Sequence, residues 1–510
     1  MRTLLFCCFA LPLLAQPAYD AKRNYQWITG YNYFTDNPEI EHVIFDFHDD
    51  TVQLSYQEKL LSSSFYYTNG SICNGYGNLL LYSAGCRVHE ADGTIIPGTD
   101  TMNAGYLYDS QCYDFSGNPT SGYPVPQGLM FLPVGPNSFF IFYLWLDYKE
   151  NQGYHYFRLY NMYLKKELQT DHYAAYDVNS LVLADTLQGS LGAVRHANGQ
   201  DWWLVCPKSN TNTYFVFLLD SIGIKKELVQ SLGASRSYPY DNTTGQCAFS
   251  PDGSKFIEYS IKSDLKIFDF DRCTGELSNP VHIPITDAAD YVFAAGAVVS
   301  PNSKYLYITS SKIIYQFDLT ADDIPATQQI VAIYDSVTIG FLTLSFGNAE
   351  LGPDGKIYIS NFAGRTTYHR IDYPDSAGLA CHVVQHAEWT TYPVSGFPHH
   401  PNYLLGPLEG SGCDTITSIK PINNEITLKI FPNPVVADLI IEIEGNNDQQ
   451  GTSMQIVVHN QLGQRVAEQY VAPFSPLVKI SANGWKPGIY YVQLTRHGRV
   501  LAVEKIVKMP

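Results

Sequence analysis

Apolar and polar positions alternate along most of this chain in short runs, and Gly, Pro, Asn and Asp punctuate the runs. A period of two broken by turn residues predicts strands joined by tight reversals. Three segments share one pattern: Cys247–Phe256 (CAFSPDGSKF), Val298–Ile308 (VVSPNSKYLYI) and Ala349–Ile359 (AELGPDGKIYI). In each, an apolar strand meets a Pro-Asp-Gly or Pro-Asn-Ser turn and then a second, alternating strand. Proline presets φ for the turn, and the two residues after it tolerate the sharp reversal. Further strands follow at matching offsets: KIFDFD (266–271), IYQFDL (314–319) and HRIDYP (369–374). The turn prolines Pro251, Pro301 and Pro353 stand about 50 residues apart, close to the period of a four-stranded propeller blade.

Looser copies lie upstream, at 75–96 with Asp92-Gly93 as its turn, at 133–146, and at 197–219. The segment LYNMYLKKEL (159–168) fits a strand or a short helix. Six units precede about residue 380, and a last one is completed if Asn402–Gly406 pairs with His42–Phe47. Sharing a blade between the chain's two ends would close the ring and remove exposed edges. The expected fold is therefore all-β. A β-propeller of seven blades, with six or eight also compatible, spans 17–409, and a small antiparallel β-sandwich spans 426–510. A polar stretch from Gly410 to 425 reads as the linker between them.

Composition agrees with a β-rich body: Tyr (38), Phe (26) and Gly (38) are abundant, and only 16% of residues are charged. The net charge of −17 and the lack of a basic run argue against a nucleic-acid partner. Arg2 followed by the apolar stretch Leu4–Leu14 and Ala15-Gln16 reads as a secretory signal peptide over 1–16. That stretch holds Cys7 and Cys8, and no later segment is long and apolar enough to span a bilayer as a helix. Eight cysteines remain after it: Cys73, Cys86, Cys112, Cys206, Cys247, Cys273, Cys381 and Cys413. None forms a C-x-x-C pair, and in an oxidising compartment some are expected to form disulfides whose connectivity the spacing leaves open.

Beyond the linker, the strands and turns of 428–508 include FPNP (431–434), a Leu462-Gly463-Gln464 turn, PGIYYVQL (487–494) and the terminal KIVK (505–508). These residues, from about Thr427 to the end, resemble the type A sorting domain of the type IX secretion system. The resemblance rests on Pro432, Asn433, Pro434, Leu462, Gly463, Gln464, Gly488, Tyr490, Lys505 and Lys508. It implies export through the periplasm, engagement with the type IX machinery, removal of the domain, and then attachment to surface lipopolysaccharide or release. The body, through NGYGNLLLYSAG (74–85), FSPDGSKF (249–256), SPNSKYLYIT (300–309) and LGPDGKIYIS (351–360), resembles secreted Bacteroidetes propellers of the YVTN/WD-like superfamily. Those motifs are turn and strand signatures, so they imply architecture rather than activity.

Candidate chemistry is sparse. There is no G-x-S-x-G elbow, H-E-x-x-H helix, Walker loop or dinucleotide fingerprint, so no cofactor and no catalytic residue are expected. Asp46, His48 and Asp50 share one strand face, with Asp49 on the other, and could hold a structural divalent cation, although a solvated strand end accounts for them too. The pair His399-His400 reads as a loop with two exposed imidazoles, and Trp202-Trp203 as one ring inward and one at the surface. Asp-Ser/Thr-apolar triplets at Thr51, Thr101, Thr186, Ser221, Ser336 and Thr415 resemble an O-glycosylation motif of exported Bacteroidetes proteins.

Three functions follow from this reading. The first is a non-catalytic surface or secreted propeller that binds a glycan or protein ligand. The second is a propeller-based hydrolase or lyase acting on extracellular glycan or peptide. The third is a purely structural envelope component. Charged side chains gathered at the channel mouth would mark the second, and an apolar or plugged channel the third.

Overall fold

A computed structural model describes residues 20–30, 41–58, 65, 68–112, 122–149, 154–167, 169–236, 245–286, 295–339, 342–343, 345–361, 365–394, 396–413, 426–445, 454–461, 464–471, 477–496 and 499–509. The fold is all-β and β-propeller-like, with many four-stranded antiparallel sheets in which consecutive strands are neighbours. The chain divides into two units, one of 1–220 with 224–414, the other of 221–223 with 415–510.

In the larger unit each successive sheet begins with a short buried strand. These first strands are Gln26–Thr29, Gly70–Cys73, Leu129–Gly135, Gly192–Arg195, Gly245–Phe249, Gly296–Val299 and Phe346–Leu351. From Gly192–Arg195 onward each of them lies against the next, as do the first three in order. The Pro-Asp-Gly and Pro-Asn-Ser turns occupy the place the sequence assigned them: those at Pro251, Pro301 and Pro353 each link the first strand of a sheet to its second. The segment 159–168 falls largely in a long strand, Tyr154–Lys166.

The period-two alternation has a specific use here. Both faces of a sheet are buried, and alternate side chains serve different neighbours. In Lys255–Ser260, Phe256 packs with Trp203, Tyr214 and Phe268 toward the preceding sheet, whereas Ile257 packs with Ala297, Leu306 and Ile308 toward the following one. In the next sheet, Leu306 and Ile308 face back while Tyr305 and Tyr307 face forward to Ile357 and Ile359. Tyr358 then joins Tyr368 and Phe397 around Trp27 and Phe45 of the first sheet. Ile28 and Ile44 of that sheet meet Tyr82 and Ala84 of the second. A larger cluster runs on from Ile72 and Leu81 through Leu129–Leu132 to Trp202 and Leu204. Buried apolar clusters therefore link each of these sheets to its neighbour in a closed circuit; the two-stranded pairing of Thr338–Ile339 with Leu342–Thr343 is not one of them.

The chain's ends close this circuit differently from the expectation. His42–Phe47 does not pair with Asn402–Gly406. Instead Glu41–Asp46 lies between Gln26–Thr29 and Gln53–Glu58 in a three-stranded sheet of its own. Residues 396–413 form no strand. They cross the inner strands as a strap: Gly396 O accepts from Thr29 Oγ1 at 2.9 Å and Asn69 Nδ2 at 3.0 Å. Further along, Tyr403 Oη donates to Phe131 O at 3.1 Å, and Asn402 Nδ2 donates to Pro251 O at 2.7 Å. Pairing with His42–Phe47 would have drawn Asn402 and Tyr403 away from the Pro251 and Phe131 carbonyls.

Two disulfides are present among the described residues, Cys86–Cys112 and Cys273–Cys413. The second ties the end of the strap to the turn after Phe270. Cys73, Cys206, Cys247 and Cys381 are free and buried.

The smaller unit contains a three-stranded sheet (Ile426–Phe431, Asp438–Gly445, Leu477–Ser481) and a four-stranded one. The latter runs Arg465–Val471, Met454–Asn460, Gly488–Arg496, Arg499–Lys508. Leu439, Ile441 and Val478 of the first share a buried cluster with Ile456, Val458, Val492 and Ile506 of the second.

Candidate functional site

The three turns and the strap surround one cavity of about 280 Å³. Its rim carries Pro251, Pro301, Pro353 and Pro401, so the repeat read from the sequence forms the collar of the site. Its walls are mostly small and apolar, with Ala248, Ala297, Val299, Leu351 and Leu404 among them. Inner strands bring their side chains close to the centre, where small residues leave room and large ones would fill it.

The floor is polar. His399 Nδ1 stands 2.9 Å from Glu350 Oε1, and both side chains are about nine-tenths buried. Burial pushes the Glu350 carboxyl above its ordinary range, and His399 partly offsets that. Two glutamine amides hold the pair. Gln246 accepts from the Ala297 and Ala349 amides, each at 3.1 Å, and its Nε2 donates to Ala349 O at 2.7 Å and Glu350 Oε1 at 3.1 Å. Gln127 accepts from the Cys247 amide at 2.7 Å and donates to Cys247 O at 2.9 Å, leaving its second N–H toward His399 Nδ1 at 3.1 Å. His400 turns the other way, with Nε2 2.9 Å from Ser71 O. Desolvation holds its imidazole down at about 3, so the ring is neutral.

The structure thus corrects two expectations. His399 and His400 are not exposed loop imidazoles, because the strap carries them into the centre of the sheets. Trp202 and Trp203 are both buried, 0% and 1% exposed, because sheets flank the strand on both faces. Trp202 Nε1 donates to Pro133 O at 2.9 Å and Trp203 Nε1 to Arg272 O at 2.7 Å, toward the preceding and the following sheet respectively. Neither Glu350 nor Gln127 stood out in the sequence. Glu350 precedes a recognisable Leu-Gly-Pro-Asp-Gly turn, but nothing local marks the strap that reaches it.

The remaining candidates are dispersed. Asp46 and His48 bond to each other at 2.6 Å. Asp46 also accepts from Gln26 Nε2 at 2.6 Å, and His48 Nε2 lies 2.9 Å from Tyr76 O. Asp50 stands apart and exposed. Among the described residues no three His, Cys, Asp or Glu side chains form a group suited to a metal. Thr51, Thr101, Ser221 and Ser336 are exposed, and Thr186 is half-buried at the end of a strand. Thr415, Leu462 and Gly463, like the signal-peptide segment 1–16, lie outside the described residues.

In the smaller unit, Pro432 and Pro434 flank Asn433, whose side chain donates to Lys505 O at 3.1 Å and accepts from the Val507 amide at 2.9 Å. Lys508 is buried, and its strand, shared with Lys505, pairs with that of Gly488 and Tyr490. The Tyr490 ring stacks on Trp485 at 4.9 Å. Gln464 and Asn460 exchange backbone and side-chain hydrogen bonds across the turn.

No curated protein matches the sequence. Among solved structures, a protein of Lactobacillus plantarum aligns at 11% identity over 90% of this chain and 100% of its own, with a TM-score of 0.36. A periplasmic gluconolactonase of Pseudomonas aeruginosa aligns at 13% identity over 89% of this chain and 99% of its own, also at 0.36. PorZ, an essential surface component of the type-IX secretion system of Porphyromonas gingivalis, aligns at 11% identity over 95% of this chain and 81% of its own, at 0.24. At these identities and scores the likenesses carry no function across. Residues 429–509, however, match the family model of the secretion system C-terminal sorting domain, and this protein is therefore a secreted or cell-surface protein that carries such a tail behind a β-propeller-like body.

Proposed function

We propose that type IX secretion delivers this protein through its C-terminal β-sandwich and that its body is a seven-bladed propeller whose central cavity binds a ligand without transforming it. The observation that carries the binding reading is the cavity itself, ringed by the repeat's turns and floored by Glu350 and His399. The closed circuit of buried clusters supports the seven blades, since an open array would leave a terminal sheet with one bare apolar face. Delivery ends in attachment to surface lipopolysaccharide or in release. The exposed Thr51, Thr101, Ser221 and Ser336 suit O-glycosylation on the way, which the intact mass of secreted protein would reveal as added hexose units.

A propeller-based hydrolase or lyase is the second reading, favoured by the carboxyl–imidazole pair at hydrogen-bond distance. Binding fits better because Nδ1 and Oε1 are already engaged with each other and with the glutamines. The pair is thus built as a fixed recognition surface.

Deleting residues 426–510 and fractionating the cells tests the delivery. Retention of the body in the periplasm is expected, and unchanged surface or medium levels would refute it. Incubating the full chain with labelled extracellular glycans and peptides tests the absence of turnover. Product formation that Glu350→Ala abolishes would establish the enzyme instead.

A further inference from the structure

The cavity floor has a protonation pattern that restricts what it binds. Gln127 cannot turn its amide over, because the Cys247 N–H needs its oxygen and the Cys247 carbonyl needs its nitrogen. Its second N–H therefore faces His399 Nδ1 and requires a lone pair there. With Nδ1 an acceptor, the ring carries its proton on Nε2. At 2.9 Å, Glu350 Oε1 shares that single Nδ1 lone pair with the Gln127 N–H in a three-centre bond, which requires a proton on the carboxyl, since an ionised oxygen would face the lone pair. The burial that raises Glu350 favours the same state. Gln246, fixed by three backbone groups, donates to that same Oε1 and leaves Oε2 as a carbonyl-like acceptor.

Two polar atoms remain. Neither His399 Nε2 nor Glu350 Oε2 has a hydrogen-bond partner among the described residues, and neither is sealed from solvent. Among the described residues, the only other ionisable side chains lining the cavity are Tyr25 and His400, and His400 is spent on Ser71. Among the described residues no lysine, arginine or aspartate lines it, so a charged ligand would lose its hydration without meeting a countercharge there. A hydroxyl group, which accepts and donates at once, complements the free donor and the free acceptor. The volume, near the lower end of ligand pockets, suits one small molecule.

We infer that the ligand of this cavity is a small neutral hydroxylated molecule, of the monosaccharide or polyol class, held by the His399 Nε2–H as donor and Glu350 Oε2 as acceptor. The inference rests on the reading of the cavity as a ligand site.

Calorimetric titration of the full chain with a panel tests both levels. The panel holds neutral sugars and polyols (glucose, galactose, N-acetylglucosamine, glycerol), an anionic sugar (glucuronate), a cationic one (glucosamine) and an apolar probe without a hydroxyl (benzene). At least one neutral member is expected to bind, and the charged members are not. Glu350→Ala and His399→Ala should each lose about tenfold or more. Unchanged binding in either folded variant would overturn the assignment. Should neither variant fold, ¹⁵N shifts of the natural His399 ring decide the matter: a protonated Nε2 is expected, and a protonated Nδ1 would overturn it. Binding of only glucuronate, glucosamine or benzene would overturn the ligand class and keep the site. Binding of nothing in the panel would overturn the ligand class, and a cavity that also stays empty in a broad metabolite screen would overturn the site itself.

Discussion

Gly253 and Gly355 occupy the same place in two Pro-Asp-Gly turns, with φ of +75° and +76°. A methyl group would treat them differently. At Gly253 it would lie 2.7 Å from Arg272 Cδ and 2.9 Å from both Leu405 and Val194, whereas at Gly355 the nearest atom is Pro301 Cγ at 3.8 Å. Arg272 cannot easily retreat, since it donates to the carbonyls of Arg195, His196 and Gly406. Gly355→Ala should cost only the left-handed backbone penalty, about 1–2 kcal/mol. Gly253→Ala should cost about 2–4 kcal/mol, the same penalty plus overpacking, as read from denaturant midpoints. The free thiols make a second test. Burial pushes Cys73 and Cys247 up to about 12, so neither is a thiolate at neutral pH. Iodoacetamide should leave both unmodified in the native protein and label both once it is unfolded, with mass spectrometry as the readout. Turn chemistry of this kind was legible because it acts within four residues. The environments of His399, His400, Trp202 and Trp203 were not, because distant segments bury them.

The strap of residues 396–413 is the element that assembles the site. It brings His399 to Glu350, and the Cys273–Cys413 disulfide closes its far end over a sequence separation of 140. On the way, the Leu408 amide donates to Ala197 O at 2.9 Å. Cross-linking so long a loop removes much unfolded-chain entropy, up to about 5 kcal/mol. Cys273→Ser should therefore lower the unfolding free energy by a few kcal/mol in non-reducing denaturant titrations. Adding reductant to the natural protein should reproduce the change, and equal midpoints with and without reductant would exclude the clasp. No periodicity marks this segment in the sequence, because its backbone bonds go to strands far away in the chain rather than to its own neighbours. That is why it reads as loop or as a stray strand, and why pairing with His42–Phe47 was the natural but mistaken expectation.

Across the whole molecule, burial keeps His89, His369 and His400 neutral, each held at about 3 chiefly by desolvation. Their folded values lie below the ordinary one, so below about pH 6.5 the unfolded chain takes up protons that the folded chain does not. Stability is then fully present above about pH 6.5 and falls toward pH 3, by up to about 1.4 kcal/mol per pH unit for each histidine. Glu350, raised, acts in the opposite sense: its contribution is full at low pH and is lost as pH rises through its folded value. His48, raised by its hydrogen bonds to Tyr76 and Asp46, acts in the same sense as Glu350, but three deeply buried histidines outweigh these two groups, so the midpoint temperature should drop between pH 7 and pH 5, and less in His369→Gln. A flat profile would contradict the neutral burial of these rings. The strands, the turns, their spacing of about 50 residues and the sorting tail were all determined by the sequence itself, because alternation and turn chemistry act over a few residues. Which sheet each face meets, how the ends close and which side chains share the cavity were decided only by the tertiary structure. Those choices depend on packing between segments hundreds of residues apart, whose partners leave no local trace in the chain.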